Sequence, residues 1–168
     1  MDLLVGPDGT ALLGEQRFAC ALGRSGLVAD KREGDGGTPV GVFPVRMVYY
    51  RPDRQSPPVT ALPVRALKTA DGWCDDPAHA DYNRAVTLPH AGGCERLWRD
   101  DGLYDLILVI GHNDSPPRPG AGSAIFLHVR SPDGTPTQGC VAFDIEDLRT
   151  ILKNLTPDSK IQINPACC

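Results

Sequence analysis

The stretch Tyr104 to Gly111, YDLILVIG, limits the choice of fold more than any other part of this chain. An apolar run of this length with no polar stripe predicts a strand buried inside a sheet. Eighteen glycines and 16 prolines make up about a fifth of the 168 residues around it. That abundance predicts short strands and many turns rather than a helical bundle.

Other segments supply the partners. Leu3 to Val5 and Ala11 to Leu13 flank the turn GPDGT and predict a hairpin. Gln16 to Gly23 predicts a strand with Phe18, Cys20 and Leu22 on one face and Arg17 on the other, which makes Cys20 a small buried hydrophobe. Val42 to Tyr50 is apolar, β-branched and aromatic, a strand pattern; Ala124 to Val129 and Lys160 to Ile163 add two more strands. Proline density from Arg51 to Pro63 predicts an irregular excursion. Trp73 to Pro89 holds so few apolar residues that it reads as a long surface loop, functional or mobile. Glu95 to Asp100 predicts a short helix. The clearest helix follows Asp144, a potential cap, with Asp147 three residues on and Leu148, Ile151, Leu152 and Leu155 at helical spacing. The expected fold is mostly β with one packed helix (α+β), a single domain over residues 1–168 without internal repeat or linker.

Composition excludes several functions. Hydrophobic content of 41% and charged content of 23% are those of a globular domain. A net charge of −4 with scattered basic residues argues against nucleic acid. No apolar run approaches the roughly 18–20 residues that cross a bilayer, so no membrane span is expected. The N-terminus MDLLVGPDGTALLG lacks the positive and apolar regions of a signal peptide. Six cysteines in a chain this long do not form the dense framework of a stapled secreted domain. Cys167 and Cys168 fall in a terminus expected to fray, leaving Cys20, Cys74, Cys94 and Cys140 to be explained singly.

The chemistry concentrates in SAIFLHVRSPDGTPTQGCVAFD. His128 ends a predicted strand, and Cys140 follows twelve residues later in a Thr-x-Gly-Cys turn just before the capped helix. Backbone N–H groups at such a turn favour negative charge on sulfur or on a developing oxyanion. Gly139 lets a substrate carbonyl approach. A thiol of ordinary pKa, about 8.5, is only a few per cent ionised at neutral pH and needs a base; a histidine supplies one and returns the proton to the leaving amine.

GTPVGVFPV resembles the TPxGxF strand signature of L,D-transpeptidase catalytic domains, the YkuD-type fold, which is β-sandwich-like. IFLHVRSPDGTPTQGCVAF resembles their active-site signature, a strand-ending histidine followed after a variable loop by Ser/Thr-x-Gly-Cys. WCDDPAHADYNR and GLYDLILVIGHND are similar to segments of a small single-domain bacterial subgroup. The resemblance runs from about Arg17 to Leu155. It implies Cys140 as nucleophile, His128 as general base, backbone N–H groups of Gly139 and Cys140 as an oxyanion hole, and Thr137 as a turn-shaping residue that orients substrate. Two positions depart from the pattern: Gln138 stands where many members carry histidine, and Val129 where many carry glycine. The first makes His112, in the GHND turn, a further candidate for substrate contact or active-site support. Tyr82, Asn83 and Arg84 are candidate contacts to stem carboxylates, which arginine binds with a bidentate fork. Trp73 is either a lid residue or a core anchor.

Cys74 with His79, and His90 with Cys94, together offer the ligand types of a structural zinc, although Cys-x4-His and His-x3-Cys fit known patterns loosely. A Cys74–Cys94 disulfide and separate thiols are the other readings, and no metal or cofactor is assigned. The implied activity is cross-linking of peptidoglycan peptide stems, donor and acceptor, through a cysteine thioester, with 3-3 or, in this subgroup, 1-3 linkage and possible D-amino acid exchange. A hydrolase of the same fold and a non-catalytic wall-binding domain are the alternatives. The substrate implies a periplasmic location, and a monomer is expected.

Overall fold

The computed structural model describes residues 1–164 and 166; the expectation for Cys167 and Cys168 lies outside them. In chain order the strands are β1 (Leu3–Val5), β2 (Thr10–Leu13), β3 (Gln16–Ala21), β4 (Leu27–Val28), β5 (Thr38–Pro39), β6 (Gly41–Tyr50) and β7 (Val64–Ala66). Then come β8 (Asp71–Cys74), β9 (Ala85–Thr87), β10 (Cys94–Arg96), β11 (Leu106–Ile110), β12 (Phe126–Val129), β13 (Val141–Phe143), α1 (Ile145–Asn154) and β14 (Lys160–Ile163). No helix among the described residues is long and apolar enough to cross a membrane.

The main sheet runs β11-β12-β13-β3-β2-β1-β14-β6-β7, and a further pairing of β11 with β6 closes the circuit. The long β6 makes this closure possible. Its first residues pair with β14 and its later ones, from Val45 to Tyr50, with β11. Alternate side chains of β11 then serve two cores, which explains its unbroken apolar sequence. Leu106, Leu108 and Ile110 join one cluster with Leu3, Ile161 and the helix residues Leu148, Ile151 and Leu152. Ile107 and Val109 face the other, with Trp73, Leu97, Tyr104, Phe126 and Cys140. Among the described residues the chain is thus mostly β with a single helix, as expected, and Cys20 is buried.

Two local expectations fail. The segment from Trp73 to Pro89 is no surface loop: its ends are β8 and β9, which pair with β10 in a three-stranded sheet, order β10-β8-β9. Trp73, Cys74, Tyr82 and Asn83 are buried there. The segment reads as solvent-exposed because these four residues stand among many polar ones, and hydrogen bonds make the burial of Asn83 tolerable. Glu95 to Asp100 forms no helix either. Cys94, Glu95 and Arg96 pair in register with Cys74, Trp73 and Gly72, and this cross-strand partnership overrides local propensity.

The helix starts where expected, but not by the expected bond. Asp144 occupies the cap position without a side-chain cap bond. Its carboxylate instead accepts from Arg130 Nη2 at 3.0 and 2.9 Å. Glu146 and Asp147 in the first turn and Lys153 in the last still favour the helix dipole.

Candidate active site

Cys140 sits at the end of a turn in which two sequence segments meet. Thr137 Oγ1 donates to the Cys140 carbonyl at 2.6 Å and accepts from the Gly139 N–H at 3.1 Å. From the GTPVGVFPV segment, the fully buried Thr38 Oγ1 lies 3.5 Å from the same carbonyl and accepts from the Gly23 N–H at 2.8 Å. Backbone packs directly on backbone at this junction. A Cβ on Gly139, whose φ is 138°, would lie 2.8 Å from the Gly37 carbonyl oxygen, so any side chain would push the turn away.

The thiol has two further partners. Its S–H donates to the Ala124 carbonyl at 3.2 Å, and the Phe126 N–H donates to Sγ at 3.3 Å. Ala124 holds a left-handed φ of 53°, a conformation that costs a non-glycine residue energy and is sustained here by its neighbours. Its N–H donates to Asn83 Oδ1 at 3.1 Å. That oxygen also accepts from Trp73 Nε1 at 2.9 Å, while Asn83 Nδ2 donates to the His112 and Asn113 carbonyls at 2.9 and 2.7 Å. Asn83 is therefore a saturated bracket, connected to the thiol through one residue.

His128 reaches the thiol's side of the sheet by register. β12 and β13 run parallel with His128 beside Ala142, so His128, Ala142 and Cys140 project from one face, with His128 two residues further along. Two residues correspond to roughly 6.6 Å of strand. The ring does not hydrogen-bond the resting thiol; its Nδ1 lies 2.8 Å from the Val129 carbonyl. A carbonyl only accepts, so Nδ1 carries the proton and Nε2 keeps a lone pair. Burial pulls the imidazole pKa down to about 4, leaving it neutral near pH 7. Burial, aided by the neighbouring Glu95 carboxylate, pushes the Cys140 thiol up to about 12. Near neutral pH the proton consequently rests on sulfur.

A cavity of about 470 Å³ opens over these groups. Cys140, His128, Thr137 and Gln138 line it, and its walls carry both signs of charge: Lys31 and Arg99 against Glu33, Asp75 and Glu95. Glu95, raised in pKa chiefly by burial, accepts a hydrogen bond from the Tyr104 hydroxyl. Ser123 Oγ, also in the wall, is the one buried side-chain N or O atom without a hydrogen-bond partner among the described residues.

The remaining sequence candidates, Gln138 apart, lie outside this lining. Trp73, Asn83, Arg84 and His112 border a second cavity of about 330 Å³, and Ile125 lines both cavities. Trp73 is a core anchor, edge-on to Phe126 with 5.1 Å between ring centroids. Tyr82 is buried, and its hydroxyl donates to Glu33 and accepts from the Gly122 N–H at 3.0 Å. Arg84 is exposed. His112 packs edge-on to Phe43, and its Nε2 lies 3.0 Å from the Ala121 carbonyl. Gln138, at the exposed rim, accepts from Arg24. The Gly139 N–H, expected to help stabilise an oxyanion, already donates to Thr137.

Sequence reasoning missed Thr38, Ala124, Glu95 and Lys31. Thr38 was visible within GTPVGVFPV without an assigned role; the other three carry no local signal, because the fold alone brings them to the thiol.

A closed β circuit with one helix, presenting a cysteine at the head of a strand beside a histidine on the next, defines a class of sheet-borne thiol sites. The chain belongs to the L,D-transpeptidase catalytic domain (YkuD) family, whose model matches residues 6–163. The family is generally cysteine-dependent and acts on peptidoglycan, typically outside the cytoplasm. No curated protein and no solved structure matches the chain.

Proposed function

We propose that this chain is a cysteine L,D-transpeptidase that joins peptide stems of peptidoglycan in the periplasm. The observation that carries the reading is the placement of Cys140 and His128 on one sheet face, in one cavity walled by both signs of charge. Peptide stems carry carboxylates and amines, so a wall that carries Lys31 and Arg99 together with Glu33, Asp75 and Glu95 suits both.

In the first step Sγ attacks the carbonyl of a diaminopimelate residue in the donor stem. With the thiol near 12 and the imidazole near 4, a resting thiolate–imidazolium pair is disfavoured. The proton therefore moves to His128 Nε2 as the S–C bond forms. The Cys140 N–H is the oxyanion donor, since the Gly139 N–H is engaged by Thr137. The C–N bond then breaks, His128 returns the proton to the departing D-amino acid, and a thioester remains. An acceptor amine attacks the thioester, the C–S bond breaks and the thiol is restored. A side-chain amine of a second stem gives the cross-link; a free D-amino acid gives exchange.

Acylation of the folded protein by a carbapenem, followed by intact mass, tests the nucleophile. One adduct on Cys140 is expected, and none on Cys140→Ala; an unmodified wild type overturns the reading. Incubation with purified muropeptides and tandem mass spectrometry then identifies the product. Cross-linked dimers are expected, 3-3 from the diaminopimelate donor or 1-3 if the donor carbonyl is instead that of stem position one, whereas shortened monomers alone would make the protein a hydrolase.

A further inference from the structure

Outside the thiol cavity, the described residues contain a second cluster of soft ligands. Cys74 and Cys94 are direct cross-strand partners in the β8–β10 pair, and His90 comes from the loop just before β10. One ligand atom from each lies within 4.8 Å of those of the other two. Cys94 Sγ is 3.2 Å from His90 Nδ1. A tetrahedral zinc with the usual Zn–S and Zn–N bonds sets its ligand atoms roughly 3.5–3.8 Å apart, so the cluster needs only small side-chain adjustments to accept one.

The outer partner of His90 points the same way. Its Nε2 lies 2.9 Å from Asp81 Oδ2, while Nδ1 lies 3.2 Å from Cys94 Sγ and accepts from the Gly92 N–H at 3.1 Å, a bond that a metal on Nδ1 would replace. A carboxylate on the far ring nitrogen fixes the tautomer that frees Nδ1 as a lone-pair donor, which is how metal-binding histidines are usually held. The ring of His79 stands edge-on to His90 with 4.5 Å between centroids. Hard cations such as magnesium or calcium have no use for two thiolates; zinc does.

We propose that Cys74, Cys94 and His90 form a structural zinc site, with Asp81 orienting the imidazole and water in the fourth position. Binding replaces the two thiol protons, which pass to solvent, so that Zn²⁺ is held by two thiolates and a neutral imidazole. The site clamps β8 to β10. The next rung of that pair is Trp73 beside Glu95, and Glu95 lines the catalytic cavity. The metal would hold this charged wall in place without touching substrate.

The test uses the full chain, expressed with added zinc and purified under reducing conditions without chelator. Native mass spectrometry and elemental analysis are expected to find one zinc per chain, retained in Cys140→Ser and lost in the double variant Cys74→Ser/Cys94→Ser. Cobalt replacing zinc should show thiolate-to-cobalt charge-transfer absorption. Should the double variant fail to fold, Asp81→Asn serves instead, because Asp81 is half exposed. Its zinc affinity, by competition with a chromophoric chelator, is expected to fall about 10- to 100-fold. Zinc-free wild type, a Cys74–Cys94 disulfide in the zinc-supplemented protein, or unchanged affinity in either variant overturns the proposal.

Discussion

The turn from Thr137 to Cys140 and the segment from Trp73 to Arg96 both build the neighbourhood of the thiol, by opposite means. In the turn, backbone meets backbone: threonine hydroxyls hold the Cys140 carbonyl, and glycines allow the chains to approach closely. In the outer sheet, side chains perform the holding. Asn83 alone makes four hydrogen bonds, two accepted and two donated. The turn tolerates few residue types but presents its groups in a form a motif can encode. The outer sheet is assembled from scattered polar residues whose partners lie far along the chain. A site can thus rest on two kinds of support, one local in sequence and one not.

The sharpest way to break this contrast is to remove the outer bracket. Asn83→Ala deletes four hydrogen bonds, strands the Ala124 N–H and the Trp73 indole, and gives up a residue suited to its φ of 56°. A loss of about 4 kcal/mol in chemical denaturation is expected. Thiol acylation should slow as well, because the Ala124 carbonyl that holds the S–H moves. A loss below about 1 kcal/mol would show that the outer sheet is not stabilised through this residue.

The second prediction concerns acid. The folded His128 titrates near 4 and the unfolded side chain near 6.5, so the unfolded chain binds more protons between those values. The associated stability is fully present above pH 6.5 and is lost as pH falls toward 4, by roughly 3 kcal/mol. His128→Gln should flatten this part of the profile, measured as the difference in unfolding free energy from wild type at each pH. Parallel profiles would mean that the buried imidazole does not titrate as described.

These two effects also mark what sequence could reveal. The buried strand at Tyr104 to Gly111, the hairpin, the helix and the nearness of Cys140 to His128 in one cavity were legible because period and motif are local. The three-stranded sheet was not. Its strands are only three or four residues long and carry just two buried apolar side chains, Trp73 and Cys74, so neither hydrophobic periodicity nor composition marks it. Asn83 reads in sequence as a substrate contact and Trp73 as a lid or core anchor, yet their environment depends on Ala124 and Phe126, some forty to fifty residues away in sequence. Tyr82 was noticed too, while the Glu33 that binds it was not.

A smaller effect tests the inner support. Thr38→Val keeps the shape but removes the acceptor for the Gly23 N–H and a contact to the Cys140 carbonyl. An unsatisfied buried donor costs about 1–3 kcal/mol. Thr38→Ser, which retains the hydroxyl, should recover most of the stability and of the acylation rate. Equal loss in both variants would assign the effect to the methyl group and weaken the claim that hydroxyls organise the turn.

The smallest effect separates where an element begins from what holds its end. Asp144 marks the helix start in sequence, but its carboxylate serves Arg130 rather than the helix N–H groups. Asp144→Ser exchanges a largely exposed ion pair for a hydroxyl that can cap. Exposed pairs contribute about 0–1 kcal/mol and a serine cap about 0.5–2, so the net change should stay within about 1 kcal/mol and lean toward stabilisation. Denaturation in low and high salt distinguishes the contributions: the wild type should weaken with salt and Asp144→Ser should not. A marked loss in the variant at low salt would show that the Arg130 pair, by tying β12 to the helix start, supports the Cys140 strand more strongly than its exposure implies.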